Sequence, residues 1–283
     1  PLFHGLFAFL SHRLVEVSLW GNQCDLSISG GAPVAIPSTA LSGCTGMNNA
    51  SSNLLCDHFR QLWGKLCQCR QKTSDWKATS LEGNDSKPAL IHIVLDNAGY
   101  EFVSDLALLD YLQETGFIGQ VTLHIKAMPW FVSDVTRHDL VTTIRQLHAS
   151  DHDATVSLAA RCRKRLDEGL WTVEEDLFWT TPYPYYIMKN VRPDLHANLA
   201  KADLIIFKGD LNYRKLVGDR AWKPNTSLET ALEGFFPSSL CALRTIKADT
   251  VAGLDEGVAQ MAAAKASDWM TTGQFALLQC VLR

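Results

Sequence analysis

No apolar run in this chain reaches the ~18 residues that a membrane-spanning helix needs. Leu2 to Leu10 is apolar, but no basic region precedes it and no small-residue cleavage site follows. It therefore reads as a helix rather than a targeting signal. Charge of one sign is also scarce. A net charge of -4 over 283 residues offers no broad basic surface for a polyanion. The one dense basic run, Arg161, Arg163, Lys164 and Arg165, reads as a solvated helix face. Paired zinc-finger spacing is missing: Cys67 and Cys69 form a C-x-C with Cys56 upstream, without a second ligand pair. The eight cysteines, several in apolar settings such as Cys241 and Cys280, read as reduced thiols in a chain large enough to fold without staples. The expectation is a soluble, cytoplasmic protein that engages neither nucleic acid nor membrane.

Catalytic signatures are absent as well. There is no G-x-x-x-x-G-K-[ST], which excludes a P-loop, and neither a G-x-S-x-G elbow nor H-E-x-x-H. The first apolar strand is not followed by G-x-G-x-x-G, so a dinucleotide or S-adenosylmethionine site on that turn has no support. It is not followed by D-x-D either, because Ala98 stands third. That argues against a phosphoaspartate route of the haloacid dehalogenase kind.

What is present is an alternation of short apolar runs and amphipathic stretches. Residues 1 to about 20 predict a helix with Phe3, Leu6, Phe7, Leu10, Leu14 and Val17 on one side. Residues 27–53 read as loop, and Asn53 to Lys72 as a short amphipathic helix. The polar stretch 73–88 is the best linker. Beyond Pro88, strands are expected at Ala89–Leu95, Val121–Ala127, Leu204–Phe207, Leu240–Thr245 and Phe275–Leu282, with helices between them. This pattern predicts an α/β fold: a three-layer, Rossmann-like, open, mostly parallel sheet with helices on both faces. Residues 88–283 would form this domain. Residues 1–87 would be an N-terminal helical and loop segment with its linker. The opening at Pro1, inside an apolar pattern and without Met, suggests the remnant of a longer helical domain.

In open α/β sheets, ligands bind beyond the carboxyl ends of the strands. There the sequence places Asp96, Asn97 and Glu101 after the first strand and Pro129, Trp130 and Asp134 after the second. Lys208, Asp210, Leu211, Asn212, Tyr213 and Arg214 follow the third, and Arg244, Thr245 and Lys247 close the fourth. Carboxylates and amides are hard ligands for Mg²⁺ or Mn²⁺, and Arg and Lys neutralise phosphate. The mixture suits phosphoryl transfer. Each residue alone has a plainer reading. Asp96 and Asn97 could cap a helix, and Lys208 or Arg214 could be solvated. Glu101 could favour a helix N-terminus or touch substrate. The aromatic stretch Phe178 to Tyr186 favours packing over a wall for a substrate ring. Asp151, His152 and Asp153 favour a turn and helix start over a metal cluster.

The stretches LWGNQCDLSIS, VLDNAGYE, FWTTPYPY, FKGDLNYRKL and ALRTIKAD together resemble the damage-control phosphatase family. The match is to its branch with an R-T-x-K signature, here Arg244, Thr245, Ile246 and Lys247. The resemblance implies a divalent metal (Mn²⁺, Co²⁺, Ni²⁺ or Mg²⁺) on Asp96, Asn97 and Asp134. It implies catalytic roles for those three and Lys247, and substrate contacts from them, Glu101 and the run Asp210, Leu211, Asn212, Tyr213 and Arg214. The implied reaction is hydrolysis of small phosphorylated metabolites, sugar phosphates such as fructose 1-phosphate. An S-adenosylmethionine-dependent protein-glutamate O-methyltransferase is the alternative within the same resemblance. A non-catalytic metal- or phosphate-binding module is the alternative from another class.

Overall fold

The computed structural model describes residues 2–24, 53–79 and 86–283. Residues 27–52 of the expected loop at 27–53 and the core of the expected linker, with Gly83, Asn84 and Asp85, lie outside the described residues. Among the described residues seven strands form one sheet: β1 (Leu54–Asp57), β2 (Leu90–Val94), β3 (Gln120–Ile125), β4 (Trp171–Glu175), β5 (Leu204–Lys208), β6 (Leu240–Thr245) and β7 (Ala276–Val281), in the order β1-β7-β6-β5-β2-β3-β4. Strands β2 to β6 run parallel; β7 is antiparallel to β6, and β1 parallels β7. The sheet is mostly parallel, as expected.

The inner strands β2, β5, β6 and β7 are buried on both faces, so their side chains divide between two cores with period two. Leu204, Ile206, Cys241 and Leu243 face one core, and Ile205, Phe207, Leu240 and Ala242 the other. Helices Leu2–Trp20, Phe59–Thr79, Tyr100–Glu114, Arg137–His148 and Asp153–Asp167 cover the first face. Helices Pro193–Leu199, Gly209–Leu216 and Val258–Lys265 contribute to the second, with two single-turn helices. The aromatic stretch packs there as well: Phe178, Trp179 and Tyr185 are buried against Phe207 and Phe235. His152 precedes the helix Asp153–Asp167, as the turn reading required.

Several expectations change. Leu54–Asp57 is a strand rather than the start of a helix; the helix runs Phe59–Thr79. The four-residue strand is stabilised by its ladder to β7, a partner more than 200 positions away that local periodicity cannot register. That ladder carries one sheet across the expected boundary at residue 88, and Val15, Leu62 and Ile91 share one core. In the first helix, Val15, Leu19 and Trp20 are buried, whereas Leu6 and Leu10 are exposed. The basic run is not a uniformly solvated face. Arg165 is buried and bonds Asp110 and Glu114, and Arg161 forks onto Asp110 at 2.9 and 2.7 Å. Two of its four cations thus tie one helix to its neighbour; Arg163 and Lys164 pair outward with Asp167 and Glu168. Among the described residues no helix is long and apolar enough to cross a membrane.

The chain moves from β2 outward through β3 and β4, then returns to place β5 on the other side of β2. The switch point between β2 and β5 opens a crevice at their carboxyl ends.

Candidate functional site

Asp96 and Asn97 leave β2 at this crevice. The connection after β3 folds back onto them. Ala98 N donates to Ser133 O (2.7 Å), and Val135 N donates to Asp96 O (2.7 Å). An isolated antiparallel bridge pairs Asn97 with Asp134. This return brings Asp134, nine residues past Ile125, beside the end of β2. It needs Phe131 and Val132 at φ 47° and 76°, a conformation that costs a non-glycine residue on the order of 1–3 kcal/mol.

Asp96, Asn97, Glu101 and Asp134 are all buried. Asn97 Nδ2 donates to Asp96 Oδ2 (3.0 Å) and Glu101 Oε2 (2.8 Å), while its Oδ1 accepts from Ser133 Oγ (2.5 Å). Lys126 Nζ lies 3.2 Å from Asp134 Oδ2 and donates to Leu95 O at 2.6 Å. Lys208 Nζ, at the end of β5, lies 3.3 Å from Glu101 Oε1 and 2.9 Å from Asp105 Oδ1. It is fully buried and not the solvated lysine its position alone suggests. Burial, then the charges of Asp134 and Glu101, push the Asp96 carboxyl well above the usual carboxylate range; Lys126 and Lys247 pull the other way.

On the opposite wall, Arg244 is buried in β6. Its Nε donates to Asp210 Oδ1 (2.7 Å), and its terminal nitrogens donate to Thr250 O (2.6 Å) and Ala248 O (3.0 Å). Lys247 N donates to the same Asp210 oxygen (3.0 Å). Arg244 therefore braces the turn that presents Lys247. Within the run 210–214 the side chains divide. Asn212 donates to the Lys208, Leu95 and Val94 carbonyls and accepts from Tyr185 OH (2.5 Å). Tyr213 is buried under Arg244, its hydroxyl 3.1 Å from Ala252 O. The side chains of these two are engaged by the protein's own groups. Leu211 and Arg214 instead line a cavity of about 250 Å³ with Trp130, Phe131, Thr181 and Pro182. Arg214 also forks onto Asp219 (2.9 and 2.7 Å).

Asn22 joins the site without having been singled out by sequence pattern. Its Nδ2 donates to Asp96 Oδ2 (2.6 Å) and Glu101 Oε2 (2.8 Å), and its Oδ1 accepts from Thr245 Oγ1. A lone amide after a helix carries no periodic signal; only the stretch LWGNQCDLSIS surrounds it.

Among the described residues no group of three or more His, Cys, Asp or Glu is placed to hold a metal ion. Asp96, Asn97 and Asp134 are two carboxylates and an amide. Their chemistry suits a hard cation: Asp96 and Asp134 offer carboxylate oxygens and Asn97 an amide oxygen that accepts from Ser133 Oγ, and the ionised form of Asp96 is opposed by burial and by neighbouring carboxylates, an opposition that a cation would offset.

Residues 9–262 match the model of a family described as the damage-control phosphatase ARMT1-like domain. The chain is similar to proteins named damage-control phosphatase ARMT1. Identity is 40% over 267 residues for the Danio rerio protein and 38% for those of Xenopus tropicalis and Homo sapiens. Each alignment covers 94% of this chain and 57–58% of the relative, so the chain spans little more than half the length of these relatives. A solved DUF89 family protein from Pyrococcus horikoshii aligns over 98% of this chain and 74% of its own, with a TM-score of 0.44 and 14% identity.

Proposed function

Because this chain belongs to the damage-control phosphatase ARMT1-like family, we propose that it is a divalent-metal-dependent phosphatase of small phosphorylated metabolites, sugar phosphates such as fructose 1-phosphate among them. The observation that carries the reading is the meeting of Asp96, Asn97 and Asp134 at the switch point, with Lys247 presented across it by Arg244 and Asp210. Asp96, Asn97 and Asp134 would hold Mn²⁺, Co²⁺, Ni²⁺ or Mg²⁺. When bound, such an ion polarises a phosphoryl oxygen and lowers the pKa of a coordinated water. The Lys247 ammonium would neutralise phosphoryl charge, as a point donor suited to a non-planar anion. The cavity between Trp130, Phe131, Leu211 and Arg214 would take the carbon skeleton.

The direct test is phosphate release across metals and sugar phosphates, with and without S-adenosylmethionine. Chelator should abolish release, and Mn²⁺ or Co²⁺ should restore it. Full turnover by a verified metal-free protein would refute the metal assignment. Methyl transfer to protein glutamates with no phosphate release would replace the reading altogether.

Lys247→Ala gives a narrower prediction. The backbone N–H to Asp210 survives the change, so the turn should keep its shape. Losing one charged hydrogen bond costs about 1.5–3 kcal/mol. The specificity constant should therefore fall roughly ten- to a hundred-fold, with metal binding and melting temperature near the parent. Lys247→Arg should restore it in part. Parental kinetics in the alanine variant on every substrate would remove Lys247 from the site.

A further inference from the structure

We propose that Asn22 is a positioning residue for the Asp96 carboxylate and that Thr245, inside the R-T-x-K signature, holds Asn22 in the required amide orientation. The proposal rests on the phosphatase reading for its kinetic consequence but not for its geometry. Asn22 is fully buried, follows the first helix, and reaches Asp96 and Glu101 across 74 and 79 sequence positions.

Two amides grip the same two oxygens. Asn22 Nδ2 donates to Asp96 Oδ2 (2.6 Å) and Glu101 Oε2 (2.8 Å), and Asn97 Nδ2 donates to the same pair at 3.0 and 2.8 Å. An amide nitrogen carries two hydrogens, so each Asn spends both on this pair. Each amide oxygen in turn accepts from a hydroxyl, Thr245 for Asn22 and Ser133 for Asn97. Turning the Asn22 amide over would aim its oxygen at two carboxylate oxygens and leave three acceptors facing one another in a buried site, at a high desolvation cost. The Thr245 hydroxyl therefore sets which end of the Asn22 amide meets the carboxylates.

The consequence falls on Asp96. Its Oδ2 is committed to two donors on two different segments of the chain. The carboxylate is thus held in one rotation. Asn97 alone could not do this, because it is one residue away and moves with the same loop. Asn22 anchors the carboxylate from a separate element, which in turn is tied to β6 through Thr245.

The experiment uses the full chain and four variants: Asn22→Ala, Thr245→Val, Thr245→Ser and Asn22→Ala with Thr245→Val. Asn22→Ala should lower kcat by about ten- to a hundred-fold, as expected for loss of a group that orients a ligand, with KM changed less than about threefold. Thr245→Val should give a smaller loss, and Thr245→Ser should restore most of it. The double variant should be no worse than Asn22→Ala, since Thr245 acts through Asn22. Crystal structures of the parent and of Asn22→Ala give a readout independent of turnover: the Asp96 carboxylate should rotate or occupy two conformers in the variant. If the parent releases no phosphate from any substrate, the phosphatase reading fails, and the Asp96 conformation alone decides the positioning. An unchanged Asp96 conformation in Asn22→Ala overturns the proposal. So does parental kcat in that variant when the parent is active, or a Thr245→Ser protein no better than Thr245→Val.

Discussion

Asp134→Asn is expected to give a folded protein that binds Mn²⁺ poorly and releases phosphate about 10³-fold more slowly than the parent, the scale of losing a main electrostatic contributor in a dry site. Asparagine is the informative replacement because of Lys126. That ammonium is almost fully buried and lies 3.2 Å from Asp134 Oδ2. Asp134→Ala would leave it without its carboxylate, and stripping one partner from a buried pair costs about 3–5 kcal/mol. An alanine variant would thus confuse lost chemistry with lost stability. Asparagine keeps an oxygen for Lys126 and removes the charge. A second effect separates the two roles further. In chelator, the Asp96 carboxyl sits well above its ordinary value of 3.8, first through burial and then through the Asp134 charge. A carboxyl raised on folding adds stability that is present at low pH and lost as the pH rises through its folded value. Without the Asp134 charge that loss should be smaller, so the melting temperature of metal-free Asp134→Asn should fall less steeply with rising pH than the parent's. Parental Mn²⁺ affinity and turnover in Asp134→Asn would remove Asp134 from the metal site.

The parts of this architecture legible in the sequence are those where local pattern and burial agree. Strands β2, β5 and β6 are buried at nearly every position, so they appear as continuous apolar runs. The carboxyl ends of those runs then point to Asp96, Asn97, Asp210 and Lys247 without further information. Strand β4 escapes notice because it is an edge strand, Trp171–Glu175, with only Trp171 buried. Its alternation of large and polar residues resembles a loop. Strand β1 escapes for a different reason: four residues form it only because β7 offers a ladder. The direction of β7 is equally hidden, since an apolar run carries no sign. In the site, the braces are harder to read than the rim. Asn212, Tyr213, Lys208 and Arg244 all stand where contacts to ligand are expected, yet their side chains are consumed by buried partners. Chain position places a residue at the rim; only packing tells whether its side chain faces the cleft or holds another that does.

Gly209→Ala should be the most damaging glycine-to-alanine change among the described residues. Gly209 follows β5 directly and has φ 83°, a region that costs an L-residue roughly 1–2 kcal/mol. Steric overlap costs more. A Cβ at Gly209 would lie 1.8 Å from Asp96 Oδ2 and 2.1 Å from its carboxyl carbon. Asp96 cannot swing aside, because Asn22 and Asn97 hold that same oxygen. Either those bonds break, at about 1–3 kcal/mol for each buried group left unpaired, or the start of the helix Gly209–Leu216 moves away from β2. Both routes displace Asp96 or Asp210 by roughly 1 Å, a shift that can cost about a hundredfold in rate. Gly116→Ala is the control. Gly116 also has a positive φ, 76°, but a Cβ there meets nothing within 4 Å. It carries the backbone strain without the clash, so it should melt slightly low and keep parental turnover per folded molecule. Gly209→Ala should lose several times more stability and, in whatever fraction folds, about two orders of magnitude in kcat. Thermal melts and phosphate-release kinetics on the two variants side by side decide the matter. If Gly209→Ala behaves like Gly116→Ala in both, the Asp96 carboxylate is not pinned against the β5 turn.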